Sequence, residues 1–184
     1  MPGYDKIKHG VKMKQFPLLQ SSRLILRKIS EQDREQMFRI RQDQDINHYI
    51  DRPPLKSEKE SQALITKIDA GIENDKWIYW GIGHKESSEL IGTICLWNFS
   101  EDKTSAELGY ELLPDFQKKG LMTEALEAVI DYAFLTLHLK DLKAYTHRDN
   151  ERSSRLLERF DFTVQENSSE ESENMIYRLH NEWE

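Results

Sequence analysis

The 184-residue chain reads as an α/β protein, a single domain with a mixed central β-sheet flanked by helices on both faces. Three observations carry that reading. Strand-like and helix-like patterns alternate along the chain. Two strand patterns, residues 77–83 and 90–97, are joined by the short polar link Lys85-Glu86-Ser87-Ser88-Glu89 and form a hairpin. A further strand pattern, residues 106–113, runs through a lysine-bearing corner into a helix whose Leu126, Val129, Ile130, Ala133, Phe134 and Leu137 share one face. The length suits one domain with a sizeable core.

The elements follow in order. Residues 1–19 hold Lys6, Lys8, Lys12 and Lys14 with no apolar run behind them. That pattern is not a signal peptide. It reads as a flexible or loosely docked N-terminal extension before a domain over residues 20–184. Residues 24–29 form a strand, and Ser30 offers an N-cap to a helix marked by Met37, Phe38 and Ile40. Pro53-Pro54 breaks the chain. Ser57 and Glu60 have capping-box spacing, and Leu64, Ile65, Ile68 and Ile72 make one helical face after them. The hairpin, the strand at 106–113 and the long helix come next. Residues 142–147 read as a strand and 153–160 as a short helix. Residues 162–165 and 174–179 close the domain as a hairpin around the polar run 166–173, a solvated loop. No internal repeat or second-domain boundary is visible.

Composition narrows the function classes. A net charge of −7 and a pI near 5.5 argue against general nucleic-acid binding. A negative surface favours cationic acceptors such as amines, and equally serves plain solubility. The lone cysteine, Cys95, cannot form an internal disulfide and fits a reducing, cytoplasmic setting. Within Ile94-Cys95-Leu96-Trp97 it reads as a core thiol. No stretch reaches the roughly 20 apolar residues of a membrane span, so no membrane partner is expected. The six histidines lack metal-ligand spacing, so no metal is expected. Trp77, Tyr79, Trp80 and Trp97 lie in strand patterns and read as core.

The corner itself is the most informative stretch. Gln117-Lys118-Lys119-Gly120-Leu121-Met122-Thr123 contains no acid and opens a helix. The first turn of a helix offers unpaired backbone N–H groups and a positive dipole end, a ready site for phosphate. Gly120 lets the backbone approach an anion closely. An ordinary strand–loop–helix corner with solvated lysines is the competing reading. A P-loop is excluded because only one glycine is present in the stretch.

These residues resemble a known family. Gln117 to Met122 is similar to the loop of the GNAT acetyltransferases that holds the pyrophosphate of acetyl-CoA. Ala106-Glu107-Leu108-Gly109-Tyr110-Glu111-Leu112, followed by the loop and Thr123-Glu124-Ala125, resembles the Rim-type branch, named for ribosomal-protein N-terminal acetyltransferases. Asn150-Glu151-Arg152-Ser153 with Leu156-Leu157-Glu158-Arg159-Phe160-Asp161-Phe162 resembles that branch's second signature, and Arg23-Leu24-Ile25-Leu26-Arg27 its first strand. The resemblance spans about residues 20–180. Met122 stands where the loop often has Gly or Ala, so its side chain must point away from the phosphates. Asp161 replaces the usual glycine, and Asp accepts a left-handed turn better than most residues.

The resemblance implies a single-domain GNAT fold with acetyl-CoA as cosubstrate. The implied reaction is acetyl transfer to a primary amine by direct attack. The first acceptor is a protein N-terminus; a small amine such as a polyamine, amino acid or amino-sugar drug is the second. A CoA-binding module without turnover is the reading from another class, and a homodimer stays open. Leu112 and Leu113 match positions whose backbones bind the pantetheine arm. Gln117, Lys118, Lys119, Gly120, Leu121, Met122 and Thr123 form the pyrophosphate loop. Asn150 would bond the pantetheine amides or simply end a strand. Ser153 would protonate the leaving thiolate or cap a helix. Glu107 would be the general base or a solvated strand residue; alternation puts it on one face with Gly109 and Glu111. His48 and Tyr49 border the acceptor cleft of this fold; His147, close to Asn150, would touch the acceptor or be a strand-end surface histidine.

Overall fold

The computed structural model describes residues 15–87, 89–165 and 172–182. Most of the expected extension and of the polar run at 166–173 lies outside these residues. Strand β1 (Leu19–Gln20) already lies in the sheet, paired with β2 (Leu24–Lys28). Just before it, Phe16 meets Trp80 edge-on at 6.1 Å, and Pro17 C=O accepts from Trp80 Nε1 at 2.7 Å.

Ser30 does not cap the first helix directly. A 3₁₀ turn over Glu31–Asp33 comes between it and α1 (Arg34–Gln42). Asp33 explains the turn. Its buried carboxylate accepts from Arg27 Nη1 at 2.8 Å, from Arg27 Nη2 at 2.7 Å and from Ser30 N–H at 2.8 Å. This knot ties β2 to the start of α1. Burial pushes the Asp33 carboxyl up, but the bonds from Arg27 and Ser30 outweigh it and hold the group below the usual range. A short α2 (Gln44–Asn47) follows, with Asp43 Oδ1 accepting from Ile46 N–H at 2.9 Å. At four residues it is too short to show periodicity. Helix α3 (Glu58–Glu73) starts at the expected Ser57, whose Oγ accepts from Glu60 N–H at 3.3 Å. The Glu60 carboxylate reaches back one residue further than in a capping box, to Lys56 N–H at 2.8 Å.

Strands β3 (Trp77–His84), β4 (Leu90–Trp97) and β5 (Ser105–Leu112) form an antiparallel meander. Helix α4 (Leu121–Asp131) crosses over to β6 (Asp141–His147), which lies parallel to β5. The rest of the chain is α5 (Glu151–Glu158), β7 (Thr163–Val164) and β8 (Asn174–His180). The sheet order is β1-β2-β3-β4-β5-β6-β8-β7. One core cluster, with Met37, Ile40, Ile65 and Ile68, lies under α1 and α3. The other gathers Trp80, Leu126, Val129, Ala133, Leu142 and Tyr177 under α4. The sheet is therefore mixed and covered on both faces, as the sequence implied.

Three details depart from the sequence reading or sharpen it. The expected long helix ends in a π-turn over Tyr132–Thr136, where Leu137 N–H bonds Tyr132 C=O at 3.0 Å. Helix α5 starts two residues earlier than expected because Asn150, not Ser153, is its cap: Asn150 Oδ1 accepts from Ser153 N–H at 3.2 Å. Asp161 takes the left-handed conformation at φ 63°, as its place in the motif required.

Two outcomes follow. Asp33→Asn should cost about 2 kcal/mol at pH 7, the range for hydrogen bonds to a charged group. The folded Asp33 titrates below its unfolded value near 3.9, so its contribution is full above that value and is lost as pH falls through the folded one. Denaturation of wild type and variant should therefore differ at pH 7 and converge as pH drops below about 4. An equal gap at both ends would assign the loss to packing. Asn150→Ala should cost about 1 kcal/mol as a lost cap, measured by urea unfolding.

Candidate active site

The site begins where two neighbouring strands separate. β4 and β5 stay paired as far as Gly92 opposite Leu112, and β6 stays paired with β8 as far as His147 opposite Asn174. Between them, β5 and β6 pair only from Ser105–Asp141 to Leu108–Ala144. Beyond Leu108 the edges part, and Gly109 stands at the fork. A Cβ there would lie 3.3 Å from Cys95 Sγ and 3.8 Å from Trp97 Nε1.

The free edge differs from expectation by one residue. Leu113 N–H donates to Ile91 C=O at 2.9 Å, and Leu113 C=O accepts from Phe116 N–H at 2.9 Å. Both backbone groups of Leu113 are therefore occupied. Antiparallel alternation turns the backbone groups of Tyr110 and Leu112 away from β4, into the gap. Leu112 C=O in turn accepts from Gln117 Nε2 at 2.8 Å. The open partners on this edge are thus the Tyr110 backbone and Leu112 N–H, rather than Leu112 and Leu113.

The fork opens onto the acid-free corner. A 3₁₀ turn over Pro114–Phe116 leads to Gln117, then Lys118 at φ 61° and Gly120 at φ 76°. Leu121 and Met122 are buried at the start of α4 and line the cleft. The first N–H to bond back within α4 is that of Glu124, to Gly120 C=O at 3.2 Å. The N–H groups of Leu121, Met122 and Thr123 are therefore the unpaired donors of a helix start. The polar side chains of the corner mostly brace it. Gln117 Oε1 accepts from Arg152 Nη1 at 2.9 Å, and Lys119 Nζ lies 5.8 Å from the centre of the Phe116 ring.

A clamp that sequence reasoning missed holds the corner from the other side. Arg23 donates from Nη2 to Lys119 C=O at 2.9 Å and from Nε to Glu124 Oε1 at 2.6 Å. Ser21 Oγ adds a 2.6 Å bond to Glu124 Oε2. Burial pushes the Glu124 carboxyl up, and these bonds more than reverse that.

Glu107 shares its face with Gly109 and Glu111, and accepts from Asn98 Nδ2 at 2.6 Å. Ser153 is freed from capping by Asn150. Its Oγ instead meets the Tyr110 hydroxyl at 2.7 Å. Burial pushes the Tyr110 phenol up to about 12 even though its bond to Ser153 lowers it, so it stays protonated. Asn150 Oδ1 is engaged by Ser153 N–H.

The expected border residues His48 and Tyr49 come together with His147, and all three line the cleft. His48 meets Tyr49 at 4.6 Å between rings, and Tyr49 meets His147 at 5.6 Å. The same cleft is lined by Glu111, on the strand face the alternation gave it, and by arginines that no sequence signal joined to it. Glu111 is buried, accepts from Thr93 Oγ1 at 2.9 Å and from Arg52 Nη2 at 2.5 Å, and lies 3.1 Å from Arg41 Nε. Arg41 also donates to the Tyr79 hydroxyl. Burial lowers Arg41, but the Glu111 carboxylate and Tyr79 raise it further. Arg41 and Arg52 are far from Glu111 in sequence, so spacing could not have joined them.

Trp97 is a correction: it is 45% exposed and lines the cleft together with Tyr145, which is 50% exposed. Cys95 also borders the cleft, with its thiol pushed up to about 12 by burial first and Glu111 second, which makes it unreactive. The whole cleft holds about 1240 Å³. Among the described residues, no cluster of His, Cys, Asp and Glu could hold a metal ion, and no helix is long and apolar enough to cross a membrane.

Known proteins match this chain in sequence and in fold. The family model described as an acetyltransferase (GNAT) domain matches residues 23–163. The chain is 33% identical over 147 residues to the uncharacterized N-acetyltransferase YoaA of Bacillus subtilis, covering 80% of this chain and 83% of that protein. It is 29% identical over 152 residues to the [ribosomal protein uS5]-alanine N-acetyltransferase of Escherichia coli, covering 78% of this chain and 77% of the other. The solved structure of RimL, a ribosomal L7/L12 alpha-N-protein acetyltransferase in complex with coenzyme A, superposes with a TM-score of 0.76 at 18% identity, over 89% of this chain and 98% of that one. The forked β5–β6 edge, the acid-free helix start and these matches agree: the chain belongs to the GNAT family of N-acetyltransferases.

Proposed function

We propose that this protein acetylates the α-amine of a protein N-terminus, with acetyl-CoA as donor and direct attack within a ternary complex. The observation that carries the reading is the fork between β5 and β6, which leads straight to the unpaired N–H groups of Leu121, Met122 and Thr123. Those groups and the Lys118–Gly120 corner would take the pyrophosphate. The free edge at Tyr110 and Leu112 would pair with the pantetheine arm as another strand does. An N–H on that edge would face the thioester oxygen as charge builds on it, an effect of about 3 kcal/mol.

Acetyl-CoA supplies the activated acyl group. The amine nitrogen forms the new bond to the carbonyl carbon as the carbon–sulfur bond breaks. Glu107 takes the proton that the amine gives up, directly or through water. Ser153 gives its proton to the departing thiolate, held in place by the Tyr110 hydroxyl. An α-amine has a pKa near 7.7–8.0, against about 10.4 for lysine. It is already partly neutral at pH 7, so a weak or water-mediated base such as the half-buried Glu107 carboxylate suffices. The names of the E. coli relative and of RimL, both acting on ribosomal proteins, support the choice of acceptor.

The test is a panel of peptides with free or blocked N-termini and of small amines, incubated with acetyl-CoA. Thiol release and the mass of the products are read together. Acetylation confined to free N-termini supports the reading. Acetylation of small amines alone overturns the acceptor, and no thiol release with any amine overturns turnover itself. Glu107→Gln should slow the reaction at pH 7 by about tenfold or more, at the low end of or below general-base effects, while acetyl-CoA affinity stays unchanged. The loss should shrink as pH rises and more amine is neutral. A wild-type pH–rate profile in the variant would remove Glu107 as the base.

A further inference from the structure

We infer that Arg41, Glu111 and Arg52 form a carboxylate-binding subsite at the acceptor end of the cleft, which selects amines carrying an acid group close by. The inference rests on the reading of the cleft as an acetyl-transfer site and adds to it the chemical class of the acceptor.

Charge balance is the first argument. The cluster holds two guanidinium groups and one carboxylate, with Arg41 and Arg52 side chains 14% and 19% exposed and Glu111 5% exposed. The other partners of the arginines are neutral: the Tyr79 hydroxyl for Arg41 and Asn47 Oδ1 for Arg52. Burial raises Tyr79 strongly, so it stays a phenol and supplies no compensating charge. Among the described residues, no second carboxylate forms an ion pair with either arginine. A surplus positive charge is therefore held on a poorly hydrated floor, inside a chain whose net charge is −7. Leaving such a charge unmatched is costly.

Unused donors are the second argument. Arg41 donates through Nη2 to the Tyr79 hydroxyl and holds Nε against Glu111 as an ion pair at 3.1 Å, which leaves Nη1 over. Arg52 bonds through Nε to Asn47 and through Nη2 to Glu111, which leaves Nη1 over. All three residues line the cleft. A second acid oxygen pair entering there would meet donors from two guanidiniums, the geometry that favours arginine for carboxylates.

Position sets the spacing. Glu111 lies two residues beyond Gly109 on the same strand face, and Glu107 lies two residues before it. Two strand residues span roughly 7 Å. An amine reacting at the fork would then have its acid group roughly 7 Å away. That matches the reach from an N-terminal amine to the side-chain carboxylate of an Asp or Glu at the second residue; the first residue's own carboxylate lies closer to its amine.

The test uses the full-length protein and peptides identical except at the second residue: Asp or Glu, their amides Asn or Gln, and Lys. Free aspartate and its α-amide form a second arm, separating an N-terminal segment from a free amino acid as the source of the carboxylate. The acid peptides should exceed their amides in kcat/KM by about tenfold or more, mainly through KM, with the gap narrowing at high salt. Arg52→Gln should bring that ratio close to one, and Arg52→Lys should keep part of it. Because loss of Arg52 also loosens Glu111, the wild-type ratio decides the matter if the variant fails to fold. Calorimetry of the same peptides against the CoA-loaded protein reads the subsite without turnover. Equal binding and equal rates for acid and amide peptides overturn the subsite while leaving acetyl transfer intact. Preferential binding of acid peptides without turnover supports the subsite and overturns the transfer reading instead.

Discussion

A β-strand edge cannot leave its N–H and C=O groups unmatched in a protected place. That constraint organises this molecule. β5 is held by β4 from Glu107 to Leu112, and β6 along its whole length by β8, yet the two let go of each other after Leu108 and Ala144. The gap is therefore fixed by two well-paired neighbours rather than by a loose loop. Gly109 at the fork keeps its centre open, and α4 and α5 begin at its two lips. An extended polar chain can complete the edge, as a strand would.

Two buried ionic groups show how differently the same chemistry can be used. Arg27 and Asp33 match one for one and satisfy each other with two short bonds. Their role is complete within the fold: they tie β2 to α1. Around Glu111 the count is two cations to one anion, and among the described residues each guanidinium keeps its Nη1 unbonded. The first arrangement is closed, and the second is open towards the cleft. Buried ion pairs contribute little net stability on average, so the difference points to recognition rather than to holding the fold.

Most of the architecture was legible in the sequence because periodicity reports which face of an element is buried. The hairpin of β3 and β4, the face of α3 and the run from β5 into α4 all follow from it. The departures have physical causes. α2 is shorter than any periodic signal, and the π-turn after Asp131 keeps Ala133 on the core face, so the pattern hides it. Ser153 and Asn150 are both good capping residues, and only geometry shows which one caps. In the site, the motif residues were visible because they are close in sequence. Arg23, Arg41, Arg52 and Tyr79 were not, because their partners Glu124, Glu111, Glu111 and Arg41 lie 101, 70, 59 and 38 residues away. Trp97 was read as core because an apolar strand position does not reveal that the next strand pair opens beside it.

The corner between β5 and α4 has one more consequence. Its shape is set by Gln117 bridging Leu112 and Arg152, by Arg23 gripping Lys119 and Glu124, and by two left-handed residues, Lys118 and Gly120. All of these restraints come from within the chain. Ordering a flexible loop on binding costs about 1–2 kcal/mol of backbone entropy per residue. Here that ordering happens when the chain folds, so a ligand arriving at the corner finds its donors already in place. Affinity at such a site is gained by rigidity rather than by added contacts. A change at Ser21 or Arg23, well outside the loop in sequence, would then act as a loosening of the loop and show itself in ligand affinity before it showed itself in chemistry.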